Sequence, residues 1–271
     1  MLKDLALVVD ASTDKGGFYG LSLAKLIDAH LTMVPVDTES PLAAYAYHEL
    51  RYDMVVAKRE GRREAIAELA DRFQLEGFAQ GLSVDIVKFE DCAENGTEVL
   101  SDSLRLFDLI VVEQNDKRRT DGFAGMITAS ILQTGRPVLI VPYIQTQPAN
   151  FETVLIAWDG SVPAARAVAD ALPLLKRARD VVIVQVDAKT PKRCDGTMLK
   201  QHLSRHAIKA RINRTASAGD IGNTILSYAA DTNADLLVMG AYGHSRIREE
   251  IFGGTTRTII ESMTTPVLMS H

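Results

Sequence analysis

Apolar positions along this chain gather in short unbroken runs instead of alternating with polar ones. Leu5-Ala6-Leu7-Val8-Val9 and Leu109-Ile110-Val111-Val112 stand in the first half, Val154-Leu155-Ile156-Ala157-Trp158 and Leu236-Leu237-Val238-Met239 in the second. A strand that is apolar on consecutive positions has both faces covered, the condition of a parallel sheet between helices. For the second half the pattern predicts strands at about 154–158, 181–186, 209–215, 236–239 and 267–270. Between them the apolar period becomes helical, as in Ala164 to Leu172 and in Ile221 to Ala230, with Asp220 placed to cap the latter. In the first half Leu42 to Gln80 reads as a long, charge-rich helical region that turns Ile66, Leu69 and Phe73 inward. The second half has only about Gly196 to His206 at that place.

The two halves echo each other. Leu5 to Ser12 matches Val154 to Ser161, each an apolar strand ending in Asp, a small residue and Ser. Asp108-Leu109-Ile110-Val111-Val112 matches Asp235-Leu236-Leu237-Val238-Met239, and Pro137 to Val141 matches Pro266 to Ser270. Phe123-Ala124-Gly125 mirrors Phe252-Gly253-Gly254. Matches in a conserved order indicate a tandem duplication, joined in the polar stretch from Tyr143 to Asn150. The expectation is an α/β fold of two doubly wound domains with five-stranded parallel sheets, Rossmann-like, at 1–145 and 151–271.

Composition narrows the function. With 271 residues, 46% of them hydrophobic, the chain can fill two cores. A net charge of −5 offers no general attraction for nucleic acid or anionic lipid, so neither is expected as a partner. Cys92 and Cys194 are too few and too far apart for a disulfide framework or a CxxC metal site. Met1-Leu2-Lys3-Asp4 suggests no signal peptide, and no run approaches the roughly 18 apolar residues of a membrane span, so a cytoplasmic protein is expected.

The candidate chemistry lies after the fourth strand of the second half, in Gly240-Ala-Tyr-Gly243-His244-Ser-Arg246 and on to Gly253-Gly254-Thr255-Thr256. Glycines let a backbone approach an anion closely, and the free N–H groups of a following helix can receive it. With strand order 3-2-1-4-5, Asp159-Gly160-Ser161 after strand 1 and the glycine loop after strand 4 meet at the crevice where the order reverses. There Asp159 can accept hydrogen bonds from a base or ribose, and Gly243, Gly253, Gly254 and Thr255 can offer N–H groups to phosphates. His244 and Arg246 add charge, and Thr256 and Val186, the latter at the end of strand 2, complete the set. The alternative is structural: the glycines make a tight turn, and Asp159 caps a helix together with Ser161.

Gly240, two residues, Gly243, nine residues and Gly253 reproduce the spacing of ATP-binding universal stress proteins, and the second half resembles such a domain. The whole chain is similar to the tandem members of that family. The resemblance implies a stress-response protein that binds an adenine nucleotide (ATP, ADP or AMP) in its C-terminal domain, with Mg only as the nucleotide's companion. It implies regulation more than catalysis, although a slow ATPase and a nucleotide-free interaction scaffold stay open. Asp159 matches the family's acidic residue that contacts the nucleoside. Gly254 departs from the pattern, standing where the family has Ser or Thr. The resemblance also implies that the last strands of the two halves pair about a pseudo-twofold axis, giving a pseudo-dimeric monomer or a homodimer, with an unidentified protein partner.

The first half departs further: Glu113 and Asp116 take the places of Gly240 and Gly243, and the loop to Ala124 is two residues shorter. Carboxylates oppose an anion there, so no ATP binding in the family manner is expected of this half. His202 and His206, four apart, read as exposed helix residues without a third metal ligand, and no metal site is expected. Lys192 and Arg193 beside Cys194 make redox sensing a minor idea, and Lys117-Arg118-Arg119 reads as a solvated loop. Ser12 and Ser161 lack a GxSxG setting and no Walker lysine is present, so no catalytic residue is assigned. Pro137 and Pro266, at the start of each last strand, predict edge positions.

Overall fold

In the N-terminal part, β1 (Asp4–Val9), β2 (His30–Pro35), β3 (Val84–Ile86) and β4 (Leu109–Glu113) pair in parallel in the order β3-β2-β1-β4. The computed structural model describes residues 2–10, 13–36, 52–87, 96–114, 123–187, 194–217, 219–243 and 254–271. Helices α1 (Lys15–Ile27), α2 (Tyr52–Ala79), α3 (Gly96–Leu104) and α4 (Phe123–Gln133) follow these strands. α2 is the enlargement expected from composition, and it buries Ile66 and Phe73 fully, with Leu69 half-buried. The part of that region from residue 42 to 51 lies outside the described residues.

The C-terminal unit repeats the pattern. β6 (Thr153–Ala157), β7 (Asp180–Val186), β8 (Ala210–Thr215), β9 (Leu236–Gly240) and β10 (Val267–Ser270) lie in the order β8-β7-β6-β9-β10, all parallel. This is the 3-2-1-4-5 order expected from the sequence, and each strand lies within a residue or so of its expected place. Helices α5 (Val162–Leu175), α6 (Gly196–Arg205), α7 (Ile221–Asp231) and α8 (Gly254–Ser262) connect them. Leu155, Ile156, Val182, Ile183, Leu237 and Val238 are all fully buried, so consecutive residues are covered on both faces. Each such side chain contributes about 1.5–3 kcal/mol relative to exposure, which holds the ends of the central strands in place.

The chain divides into two compact units, residues 2–136 with 146–148, and residues 137–145 with 149–271. β5 (Val138–Val141) therefore packs with the C-terminal unit, where it runs antiparallel to β10, with Leu139 opposite Leu268. The meeting of the two last strands is as the resemblance implied. As expected for Pro266, β10 is the outermost strand of its own repeat, with β9 on its inner side and β5 pairing with its outer edge. Pro266 stands just before the strand, where a missing N–H interrupts no ladder, and its carbonyl accepts from Leu237 N at 2.9 Å.

Candidate functional site

The candidate site of the C-terminal unit lies between β6 and β9, where the chain, after laying β7 and β8 on one side of β6, returns to the other. Trp158 follows β6, its indole N–H donating to the Cys194 carbonyl at 3.2 Å, and is buried. Next comes Asp159, exposed, whose Oδ1 accepts the Ser161 N–H at 2.9 Å across Gly160, which takes φ +73°. Ser161 is the N-cap of α5, its hydroxyl accepting from Ala164 N at 3.3 Å, and Pro163 occupies the first turn, where its missing N–H is harmless. The structural reading of Asp159 and Ser161 as a turn and cap is thus realised.

Gly240 ends β9 beneath that same first turn. A Cβ there would come within 2.4 Å of Ala164 N and 2.6 Å of the Pro163 carbonyl carbon. The residue is glycine because two backbones meet, and its φ is not in the left-handed region. Gly243 lies over Ser161, where a Cβ would stand 3.2 Å from the hydroxyl oxygen. Between them Tyr242 adopts φ +55°, unusual for a bulky residue, and its N–H donates to Thr256 Oγ1 at 3.2 Å. The buried Thr256 hydroxyl therefore ties the glycine loop to the first turn of α8. Thr255 is half-buried and Gly254 exposed, and beyond its chain neighbours and own helix backbone a Cβ at Gly254 would meet no described atom within 4 Å.

The structure thus brings together Asp159, Gly160, Ser161, Gly240, Gly243 and Thr256, at the start of α5, the end of β9 and the start of α8. Val186, half-buried, sits one strand further out at the end of β7, beside Thr215. His244, Arg246 and Gly253 lie outside the described residues. Tyr242 and the Pro163-Ala164 backbone are parts of the site that the motif did not point to. The visible hint for the second was Pro163, just after the Ser cap.

The same place in the N-terminal unit is built differently. Glu113 ends β4 and turns its carboxylate to the start of α1, where Oε2 accepts the Gly16 N–H at 2.7 Å and the Asp14 N–H at 2.9 Å. Burial pushes this carboxyl above its ordinary range; the two N–H bonds act against the shift, and the charges of Asp10 and Asp14 add to it. Asp10 is buried and accepts from the Thr13 hydroxyl at 3.1 Å. Asp116 and the Lys117-Arg118-Arg119 run lie outside the described residues.

Elsewhere, among the described residues no group of three or more His, Cys, Asp or Glu converges as a metal site. His202 is exposed and its ring meets that of His206 edge-on, with centroids 4.8 Å apart. No described helix is long and apolar enough to cross a membrane.

Fold and crevice define a tandem, open-sheet α/β protein with a glycine loop at the switch point of its second repeat. The profile of the Universal stress protein family matches residues 150–271, so the C-terminal part of the chain is similar to that family. A universal stress protein of Synechocystis sp. is 28% identical over 170 residues, covering 60% of this chain and 57% of the relative, so the match spans little more than half of that protein. Among solved structures, a universal stress protein from Archaeoglobus fulgidus superposes with a TM-score of 0.72 at 17% identity, over 98% of this chain and 96% of its own. A protein of unknown function from Pseudomonas aeruginosa gives 0.57 at 12% identity, over 98% and 92%. These likenesses extend the fold over both halves of the chain.

Proposed function

We propose that the C-terminal unit binds an adenine nucleotide in the β6/β9 crevice, and that the chain acts in a stress response by binding and not by turnover. The observation that carries this reading is the convergence of the Asp159 turn, the Gly240 to Gly243 backbone and the start of α8 on one crevice. Asp159, exposed beside the crevice, receives the nucleoside through its carboxylate. The phosphates lie along the loop toward Gly254 and Thr255, at the first turn of α8, whose leading N–H groups have no partner within the helix and where no acidic residue stands. Mg accompanies the nucleotide if present, held by the phosphates. Charge supports the choice of half: residues 1–150 carry 15 Lys and Arg against 23 Asp and Glu, whereas residues 151–271 carry 15 against 12. An anion is therefore drawn toward the second repeat.

Trp158, the single tryptophan of the chain, adjoins Asp159 and serves as an internal reporter. Titration of the full chain with ATP, ADP and AMP is expected to change its fluorescence saturably. Asp159→Ala should weaken binding roughly tenfold, the loss expected when one hydrogen bond to a charged group is removed. Phosphate release from Mg-ATP should stay at the rate without protein. Release that Asp159→Ala abolishes would make the chain an ATPase, and an unresponsive Trp158 with no nucleotide retained would favour the nucleotide-free scaffold.

A further inference from the structure

Where the fourth strand of a repeat ends against the first turn of the first helix, the backbones are so close that one partner lacks a Cβ. In the C-terminal unit the strand gives way: Gly240 faces the Pro163-Ala164 backbone. In the N-terminal unit the helix gives way, since a Cβ on Gly16 would stand 2.9 Å from the Glu113 Cβ and 3.3 Å from its Cα. Moving the glycine from strand to helix frees the strand position to carry a side chain. That side chain is Glu113, 9% exposed, bound by two main-chain N–H groups.

The helix needs what Glu113 supplies. Asp14, the N-cap of α1, makes no side-chain capping bond, and its carboxylate turns instead to Lys15 at 2.9 Å and Arg72 at 3.5 Å. In the C-terminal unit the corresponding helix is capped from its own chain by Ser161. Glu113 thus does for α1, from a strand 97 residues away, what a local cap does for α5, and its bonds run from the end of β4 to the start of the helix that follows the neighbouring β1.

We propose that Glu113 is the resident anion of the N-terminal crevice, a tethered carboxylate that caps α1, fills the switch point and leaves the chain one crevice for a ligand instead of two. The ligand count rests on the nucleotide reading of the C-terminal unit; the seating of the carboxylate does not. The group that Glu113 excludes is a small oxyanion, formate being the simplest probe.

The test is chemical rescue in the full chain. Glu113→Ala keeps the Cβ beside Gly16 but removes the carboxylate, and should melt at a lower temperature than Glu113→Gln, whose amide oxygen still accepts from both N–H groups. Adding formate should raise the melting temperature of Glu113→Ala saturably and move its Asp14 and Gly16 amide resonances, while equal chloride does neither. Wild type and Glu113→Gln should not respond. The inference is overturned if Glu113→Ala responds to formate no more than to chloride, or if the wild-type amides move as far. Because Glu113 and the C-terminal crevice belong to different compact units, ATP titration of the same variant separates the two readings. Nucleotide binding without formate rescue sinks only the Glu113 inference, and rescue without nucleotide binding sinks only the nucleotide reading.

Discussion

Gly240 belongs to a spacing motif that reads as a phosphate cradle, yet the force that selects glycine there is packing: Ala164 N lies 2.4 Å from the position a Cβ would take. Gly240→Ala should therefore destabilise the C-terminal unit by about 1–3 kcal/mol, the usual cost of overpacking, and chemical denaturation would measure it. Unchanged stability would show that the backbone yields more easily than the geometry suggests. Glu113 makes a pH-dependent prediction. Its carboxyl titrates above the ordinary 4.5 because burial disfavours the charge, so the proton favours the native state. That contribution is fully present below pH 4.5 and is lost as the pH rises through the folded value. Glu113→Gln cannot ionise and keeps it. The variant is expected to be more stable than wild type at pH 7, with the difference shrinking in acid; equal stability at both pH values would contradict the sign.

Helices α5, α6 and α7 of the C-terminal unit are set at their amino ends by side chains that face their own first turns. Asp220 accepts from Asn223 N at 2.7 Å, and Asp195 accepts from Thr197 N and Met198 N at 3.0 and 3.1 Å. The Met198 N–H holds the Asp195 carboxyl below its ordinary range. Asp220→Ala should cost about 1 kcal/mol through α7. A loss below a few tenths, read by thermal or denaturant unfolding, would mean that water replaces the cap. Caps of this kind are local, which is why Asp220 and the start of α7 were legible in the sequence. Strands were legible for a related reason: burial on both faces imprints an unbroken apolar run, as in Leu236 to Met239. The Glu113 bond was not legible, because the amides it meets lie 97 and 99 residues earlier and backbone N–H groups leave no mark on composition.

At the scale of the molecule the duplication is unequal. Both repeats lay their first four strands in the same order, so each has a switch point, but at one a carboxylate joins the end of β4 to the start of α1, and at the other Gly240 and Gly243 meet the first turn of α5. Charge follows the same division, acidic in the first half and mildly basic in the second. On the proposed reading, a chain built this way has the scaffold of two binding domains and the chemistry of one. Isothermal calorimetry of the full chain with ATP and with AMP tests this most directly. The account predicts one nucleotide per chain, with binding weakened by Asp159→Ala. Two equivalent sites, or no heat with either nucleotide, would contradict it.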